Sequence, residues 1–599
     1  MQNKFNRSSS PLSSRVTQFS DKNEVEAQRR RKGPGPQGRA DRPVYRPGTG
    51  GTSGSGGSSG TGGFTGGTSG SGFDSGSSGG GFSSGGSGGG FLPTSGGTRG
   101  GIPRIPFWLI IGVIVLLVIC VGGGFLKSLF GGLTDGGNYV QEPYQQDQYA
   151  VTSPTSTPRP VIGFTPNAAA KEGSWTVMLY QDGDDQILEQ DIFLDFNEVE
   201  LVGSSDKVNI IAQLDRYRGA FTGDGNWTGT RRYYVTRDND LNSINSQLIA
   251  DLGEVSMSDT QSLVDFVTWT VENFPADHYV LIMSDHGMGW PGGWTDPAPA
   301  SYTAQTAPLA QKLGSAIYLD QLNDALRTIQ QQTGVEKFEI IGMDACLMGQ
   351  LEVMSVLEPY ARYTVLSEEN EPAVGWAYAS FLSALSQNPG MSGADLSKLI
   401  VQSYITDDQR IQNEQARDEF LSQMGRGYYS ADQVIGMVSK NATLSAIDLS
   451  RVPAVMDSLN DLSYALQNGD QNLVAAARTY ALSFTSLFGS NVPPSYIDLG
   501  SFVQVLAQES NNATIRQLSQ AVYSAIDDAV LLQKLGSAKR GATGVSFYFP
   551  NSALYRSAYS GPSSYTVIAD TFAEKSLWDD FLAFHYNSRG FEVDTNEAV

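Results

Sequence analysis

The first strong pattern along the chain is an uncharged apolar run, Ile105–Val121, which Gly122–Leu126 extends to about 20 residues, the length at which a helix crosses a bilayer. From Ser174 onward the texture changes to short β-branched runs alternating with helical patterns. Trp175–Tyr180, Val208–Leu214, His278–Met283, Phe338–Met343 and Tyr363–Leu366 read as buried strands. Ile187–Val202 reads as a helix with Asp184 or Asp185 as its N-cap. Thr260–Phe274 reads as another, capped by Asp259 and carrying Leu263, Phe266, Val267, Thr270 and Phe274 at helical spacing. Such alternation predicts an α/β fold, a mostly parallel sheet covered by helices on both faces. Beyond about residue 390 the patterns are longer and helical (Ala394–Tyr404, Val452–Gln467, Asn512–Leu535). They are followed by a late strand, Gly544–Phe549, and an aromatic end, Leu577–Tyr586.

Composition divides the chain further. Residues 48–101 are almost entirely Gly, Ser and Thr, too poor in apolar surface to offset the entropy of ordering. Phe64, Phe73, Phe82 and Phe91 recur in it at a fixed interval, either as repeat slippage within a linker or as spaced aromatics for weak self-association. Residues 134–170, rich in Gln, Pro, Ser and Thr, read as a stalk. The expected organisation is a disordered basic and then Gly/Ser-rich region at 1–104, a transmembrane helix at 105–126 and a stalk at 127–170. An α/β core follows at 171–390, with a helical and mixed C-terminal part at 391–599.

Charge sets the orientation. Residues 1–104 carry 13 Lys/Arg against 5 Asp/Glu, so the −22 of the whole chain leaves about −30 for the rest. With Arg99 and Arg104 before the span and Asp135, Glu142 and Asp147 after it, the positive-inside rule places the N-terminus in the cytoplasm and the large acidic part outside. That acidic body argues against nucleic acid as a partner. Only two cysteines and three histidines are present, which excludes a disulfide framework and a Cys-rich zinc site. Cys120 lies inside the apolar run, where bulky Ile119 before it speaks against a lipidation site.

Candidate chemistry gathers at two strand ends, where open parallel sheets collect functional groups. The strand from His278 runs into Ser284-Asp285-His286-Gly287, and the strand from Phe338 into Asp344-Ala345-Cys346-Leu347. A helix over Leu347–Leu357 would aim its N-terminal dipole at the Cys346 sulfur and favour the thiolate. Gly287 and Gly289 would let a backbone amide approach a substrate carbonyl. The alternative is an inert, packed Cys. His278 reads as edge packing and His585 as a structural histidine. Asp182, Asp184 and Asp185 could hold Ca²⁺ through oxygen ligands, or serve largely as helix caps; no other cofactor is expected. Glu368, Glu369 and Glu371 read as solvated loop acids with substrate contact as the alternative.

These segments resemble the clostripain family of cysteine peptidases, which share a caspase-like fold. The resemblance rests on Trp175–Asp182, Asn209–Asp215, His278–Gly287, Met343–Gly349, Ser367–Trp376 and Gly544–Pro550. It implies a peptide or protein substrate, Cys346 as nucleophile and His286 as general base and acid. It further implies an oxyanion hole from the amides of Gly287 and Cys346, and Asp344 in the pocket for the residue preceding the scissile bond. The chain departs from the pattern of the Arg/Lys-cleaving members at Val374, where they carry a second acid. The same resemblance draws attention to Pro291–Ser315, expected as an exposed loop that is either a lid or a self-cleavage segment with Lys312 its only basic residue. A non-catalytic surface module on the same fold is the rival reading.

Overall fold

Five of the strands foreseen from apolar runs are continuous because both of their faces are buried. The computed structural model describes residues 159–160, 169–219, 221–297, 307–423, 427–488 and 492–588. Its centre is a ten-stranded sheet. The strands in chain order are β1 (Arg159–Pro160), β2 (Trp175–Gly183), β3 (Val208–Arg216), β4 (Thr230–Tyr234), β5 (Gln247–Gly253), β6 (His278–Ser284), β7 (Phe338–Asp344), β8 (Ala361–Ser367), β9 (Thr443–Asp448) and β10 (Val530–Leu535). Their spatial order is β1-β5-β4-β3-β2-β6-β7-β8-β9-β10. The middle, β3-β2-β6-β7-β8, is parallel, and antiparallel strands flank it on both sides.

Alternate residues of β2 feed two different cores. Met178 and Tyr180 join one with Leu281, Met283, Ile341 and Met343. Val177 and Leu179 join the other with Ile210, Val280, Ile282 and Ile340. The first core is covered by Thr260–Asn273, Leu319–Thr333, Leu351–Leu357 and the C-terminal helices. The second is covered by Glu189–Glu200, Tyr378–Gln387 and Gly393–Ser403. Leu459, Phe502, Val522 and Trp578 lie in the same core as Met178. Thus the residues after 390 extend this sheet and its core, adding β9 and β10 as antiparallel strands with β10 at the edge.

Several boundaries differ from the sequence expectation. Thr260–Asn273 is capped by Asp259, whose side chain accepts from the Gln261 amide, as foreseen. The pattern Asn512–Leu535 is a helix only over Ala513–Ala529; Val530–Leu535 turns into β10. Its apolar run fits either state by periodicity, and pairing with β9 decides the outcome. The segment 291–315 is not loop throughout. Gly292–Gly293 pairs with Ile317–Tyr318, and Pro308 begins a short helix, Pro308–Leu313, that buries Leu309, Ala310 and Leu313. Lys312 lies in that helix with its ammonium 4.7 Å from the Tyr559 ring centroid, so cleavage there requires the helix to open. Among the described residues no helix is long and apolar enough to cross a membrane. The run 105–126, the Gly/Ser-rich region and most of the stalk lie outside the described residues.

Candidate active site

Register places the two reactive residues side by side. In the parallel pair β6–β7, Ser284 lies opposite Asp344, and His286 and Cys346 each follow two residues later. Both line one cleft, together with Asp344, Asp191, Asp195, Glu371 and Gly375. The turn carrying Cys346 is pinned to the end of β8: the Leu347 amide donates to Glu369 O at 3.2 Å, and the Gly349 amide to Ser367 O at 2.7 Å. Gly287 brings the other turn against it. A Cβ on Gly287 would lie 2.1 Å from the Cys346 carbonyl oxygen, so only glycine allows this approach.

The expected helix dipole at the sulfur is absent. Leu347 has φ 68°, and the helix begins only at Leu351. A residue in the left-handed region cannot continue a right-handed turn, so the chain leaves Cys346 in a turn rather than at a helix N-terminus. In place of the dipole, the Glu371 amide donates to Cys346 Sγ at 3.3 Å. Cys346 itself is 3% exposed.

The acids after β2 serve three separate ends. Asp185 Oδ1 lies 3.4 Å from His286 Nε2. It also accepts from the amides of Ile187 (2.7 Å) and Leu188 (3.0 Å), in the turn before a helix that starts at Glu189 rather than Ile187. Burial would raise its carboxyl, but His286 and these amides hold it below the ordinary carboxylate value. Asp182 is buried beside Asp285, Asp296 and Asp215, and burial with those like charges pushes it up. Asp184 joins Glu254 and Asp296, with carboxylate oxygens all within 4.8 Å of one another. Burial, reinforced by Asp296 and Glu254, pushes Asp184 up to about 8. This hard, all-oxygen donor set fits a divalent cation such as Ca²⁺, on a different trio from the Asp182, Asp184 and Asp185 grouping suggested by adjacency in sequence.

Deeper in the cleft a second carboxylate comes from another element. Val374 is fully buried in the core. Asp195, on the helix Glu189–Glu200, takes up the space instead: its Oδ2 lies 2.8 Å from where a Gly375 Cβ would sit, and Asp344 Oδ2 lies 3.3 Å from the same point. Two carboxylates therefore converge beside Gly375. Burial pushes Asp344 up to about 6 although the Tyr378 hydroxyl donates to it at 2.9 Å. Behind Asp195 stands buried Arg410, whose Nη2 bonds Asp195, Asp408 and the Val374 carbonyl. Neither Asp195 nor Arg410 drew attention in the sequence. The one available signal was a helix with acids on every side, which cannot solvate them all once it packs against a sheet.

The remaining candidates fall elsewhere. His278 stacks on Trp175 at 4.5 Å and meets Glu339 at 3.3 Å, while His585 is buried with Nδ1 2.7 Å from Gln471 Oε1. Both are structural. Glu368, Glu369 and Glu371 are buried rather than solvated: Glu369 pairs with Lys539 at 2.7 Å, Glu368 accepts from the Gly544 amide at 3.1 Å, and Glu371 accepts from Trp376 Nε1 at 3.0 Å while lining the cleft.

The model of the clostripain family matches residues 179–585, which include both strand-end segments. Clostripain of Hathewaya histolytica is 22% identical over 416 residues, covering 64% of this chain and 76% of that protein. A secreted C11 cysteine protease from Bacteroides thetaiotaomicron, solved with an irreversible peptide inhibitor, is 18% identical with a TM-score of 0.45, covering 68% of this chain and 99% of that one. An inactive zymogen C11 protease from Parabacteroides distasonis is 13% identical with a TM-score of 0.43, covering 70% and 99%. The family match extends over more than half of the sequence, and the chain belongs to the clostripain family of cysteine peptidases.

Proposed function

We propose that this protein is a membrane-tethered, outward-facing endopeptidase that works through a Cys346–His286 pair. The observation that carries the reading is the meeting of these two residues in one acidic cleft at the ends of neighbouring parallel strands. The Cys346 thiolate attacks the scissile carbonyl, and the developing oxyanion is received by the amides of Gly287 and Cys346. His286, holding the proton from sulfur, gives it to the departing amine. Water, deprotonated by His286, then hydrolyses the thioester. Asp344 and Asp195 face the residue preceding the scissile bond, and their charge selects Lys or Arg there. The test is turnover of a fluorogenic peptide library by the full-length protein beside its Cys346→Ala variant. Cleavage after basic residues that vanishes in the variant supports the reading. A protein that cuts no peptide, with Cys346 alkylating no faster than an ordinary thiol, is the binding module instead.

The tether is residues 105–126, with the N-terminus cytoplasmic, on the charge asymmetry described above. A reporter fused after residue 170 is expected to be active only outside the cytoplasmic membrane; cytoplasmic activity reverses the orientation. Calcium belongs to the same proposal, held by Asp184, Glu254 and Asp296. Bound at a concentration about 100 times its Kd, it adds about 2.7 kcal/mol to stability. Thermal unfolding is therefore expected several degrees higher in millimolar Ca²⁺ than in EDTA, and the difference is expected to disappear in Asp296→Asn. Identical curves with and without Ca²⁺ in the unmutated protein overturn the site.

A further inference from the structure

We infer that Asp185 is the positioning carboxylate of His286, so that the site operates as a Cys346–His286–Asp185 relay rather than as an isolated pair. The inference rests on the peptidase reading above and deepens it. Three neighbouring strands deliver the three groups: β2 is paired with β6 (Gln181 opposite Ser284), and β6 with β7 (Ser284 opposite Asp344). Asp185, His286 and Cys346 follow these registered positions at the same edge of the sheet. Asp185 Oδ1 stands 3.4 Å from His286 Nε2. Contact at Nε2 favours the tautomer that carries hydrogen there, which leaves Nδ1 as the basic ring nitrogen. The proton then moves from Cys346 Sγ to Nδ1 and from Nδ1 to the leaving nitrogen. Asp185 keeps the imidazole in place between the two transfers.

The position of Asp185 is fixed by the backbone. Its Oδ1 accepts from the amides of Ile187 and Leu188, and its carbonyl accepts from the Glu189 amide at 3.0 Å. The neighbouring acid, Asp285, is held by a different contact, its Oδ2 accepting from the Thr295 amide at 2.6 Å. The ordinary explanation for Asp185 is that it caps this turn and meets His286 incidentally. Asn and Ser cap turns about as well as Asp, and this equivalence separates the two accounts.

The experiment uses the full-length chain, unmutated and as Asp185→Asn, Asp185→Ser and Asp185→Glu. A positioning role predicts that Asp185→Asn loses on the order of 100-fold in kcat with KM within about twofold and an unchanged melting temperature, because the cap survives and the charge does not. Asp185→Ser is expected to behave alike, and Asp185→Glu to recover part of kcat. A second readout does not need turnover: ¹⁵N-histidine NMR, simple in a chain with three histidines. His286, assigned by its loss in His286→Ala, is expected with hydrogen on Nε2 in the unmutated protein and with mixed tautomers in Asp185→Asn. A kcat within twofold in well-folded Asp185→Asn, or a His286 signal unchanged by it, overturns the inference. An unmutated protein that cuts nothing sinks the peptidase reading, while the tautomer measurement still decides the role of Asp185.

Discussion

Cys346→Ala, His286→Ala and the double variant are each expected to lose at least about 10⁴-fold in kcat/KM, and to lose the same amount. Nucleophile and base act as a unit, so removing either leaves only what the oxyanion donors and the binding cleft supply, and removing both takes little more. The fold is not the reason for the loss. Cys346 is small and buried in a turn pinned through the amides of Leu347 and Gly349, and its sulfur adds only the hydrogen bond from the Glu371 amide. Alanine there removes one polarizable atom and should lower the melting temperature by no more than a few degrees. Initial rates over a range of peptide concentrations, with thermal unfolding of each variant, check both statements. If the losses multiply, so that the double variant falls to the product of the singles, the two residues work independently and the pair is wrong. If only His286→Ala is inactive, another nucleophile attacks.

The strand ends were legible because chemistry and periodicity coincide there. An apolar run that stops at Ser284-Asp285-His286 or at Asp344-Ala345-Cys346 can be read without knowing its neighbours, since parallel strands buried on both faces have no polar alternation to confuse the pattern. What the sequence hid depends on partners far along the chain. The Ser367–Glu371 acids look solvated, yet Glu369 finds Lys539 and Glu368 finds the Gly544 amide, more than 160 residues on. The helix expected directly after Cys346 fits its apolar spacing, but the Leu347 and Gly349 amides are drawn to the β8 end, and Leu347 adopts a left-handed φ that periodicity cannot register. The apparent loss of a pocket acid at Val374 had the same origin. Reading along one segment showed only Val374, while Asp195 stands beside Gly375 from a helix about 180 residues earlier.

Arg410→Met is expected to cost about 3–5 kcal/mol of stability and most of the peptidase activity. The guanidinium is 3% exposed and bonds Asp195 Oδ1, Asp408 Oδ2 (3.1 Å) and the carbonyls of Ala373 (3.2 Å) and Val374, with Asp191 at 3.8 Å. Methionine fills much of its volume but leaves these buried acids without a cation, and it frees both Asp195 and Ala373, which line the cleft. The loss should depend on pH with a definite sign. Burial already pushes Asp191 up to about 7 despite Arg410, and pushes Asp195 and Asp408 up as well. A carboxyl whose folded pKa lies above its unfolded value of about 4 destabilises the fold increasingly as pH rises between the two. Removing Arg410 raises the folded values further, so the deficit should be greatest near pH 8 and narrow as pH falls toward 5, where the acids bind protons. Adding Asp195→Asn to the variant should restore part of the stability at pH 8, though not the activity. Urea unfolding of the unmutated protein and both variants at the two pH values gives the comparison. A deficit below about 1 kcal/mol, or one that is the same at pH 5 and pH 8, would show that Arg410 does not hold this cluster together.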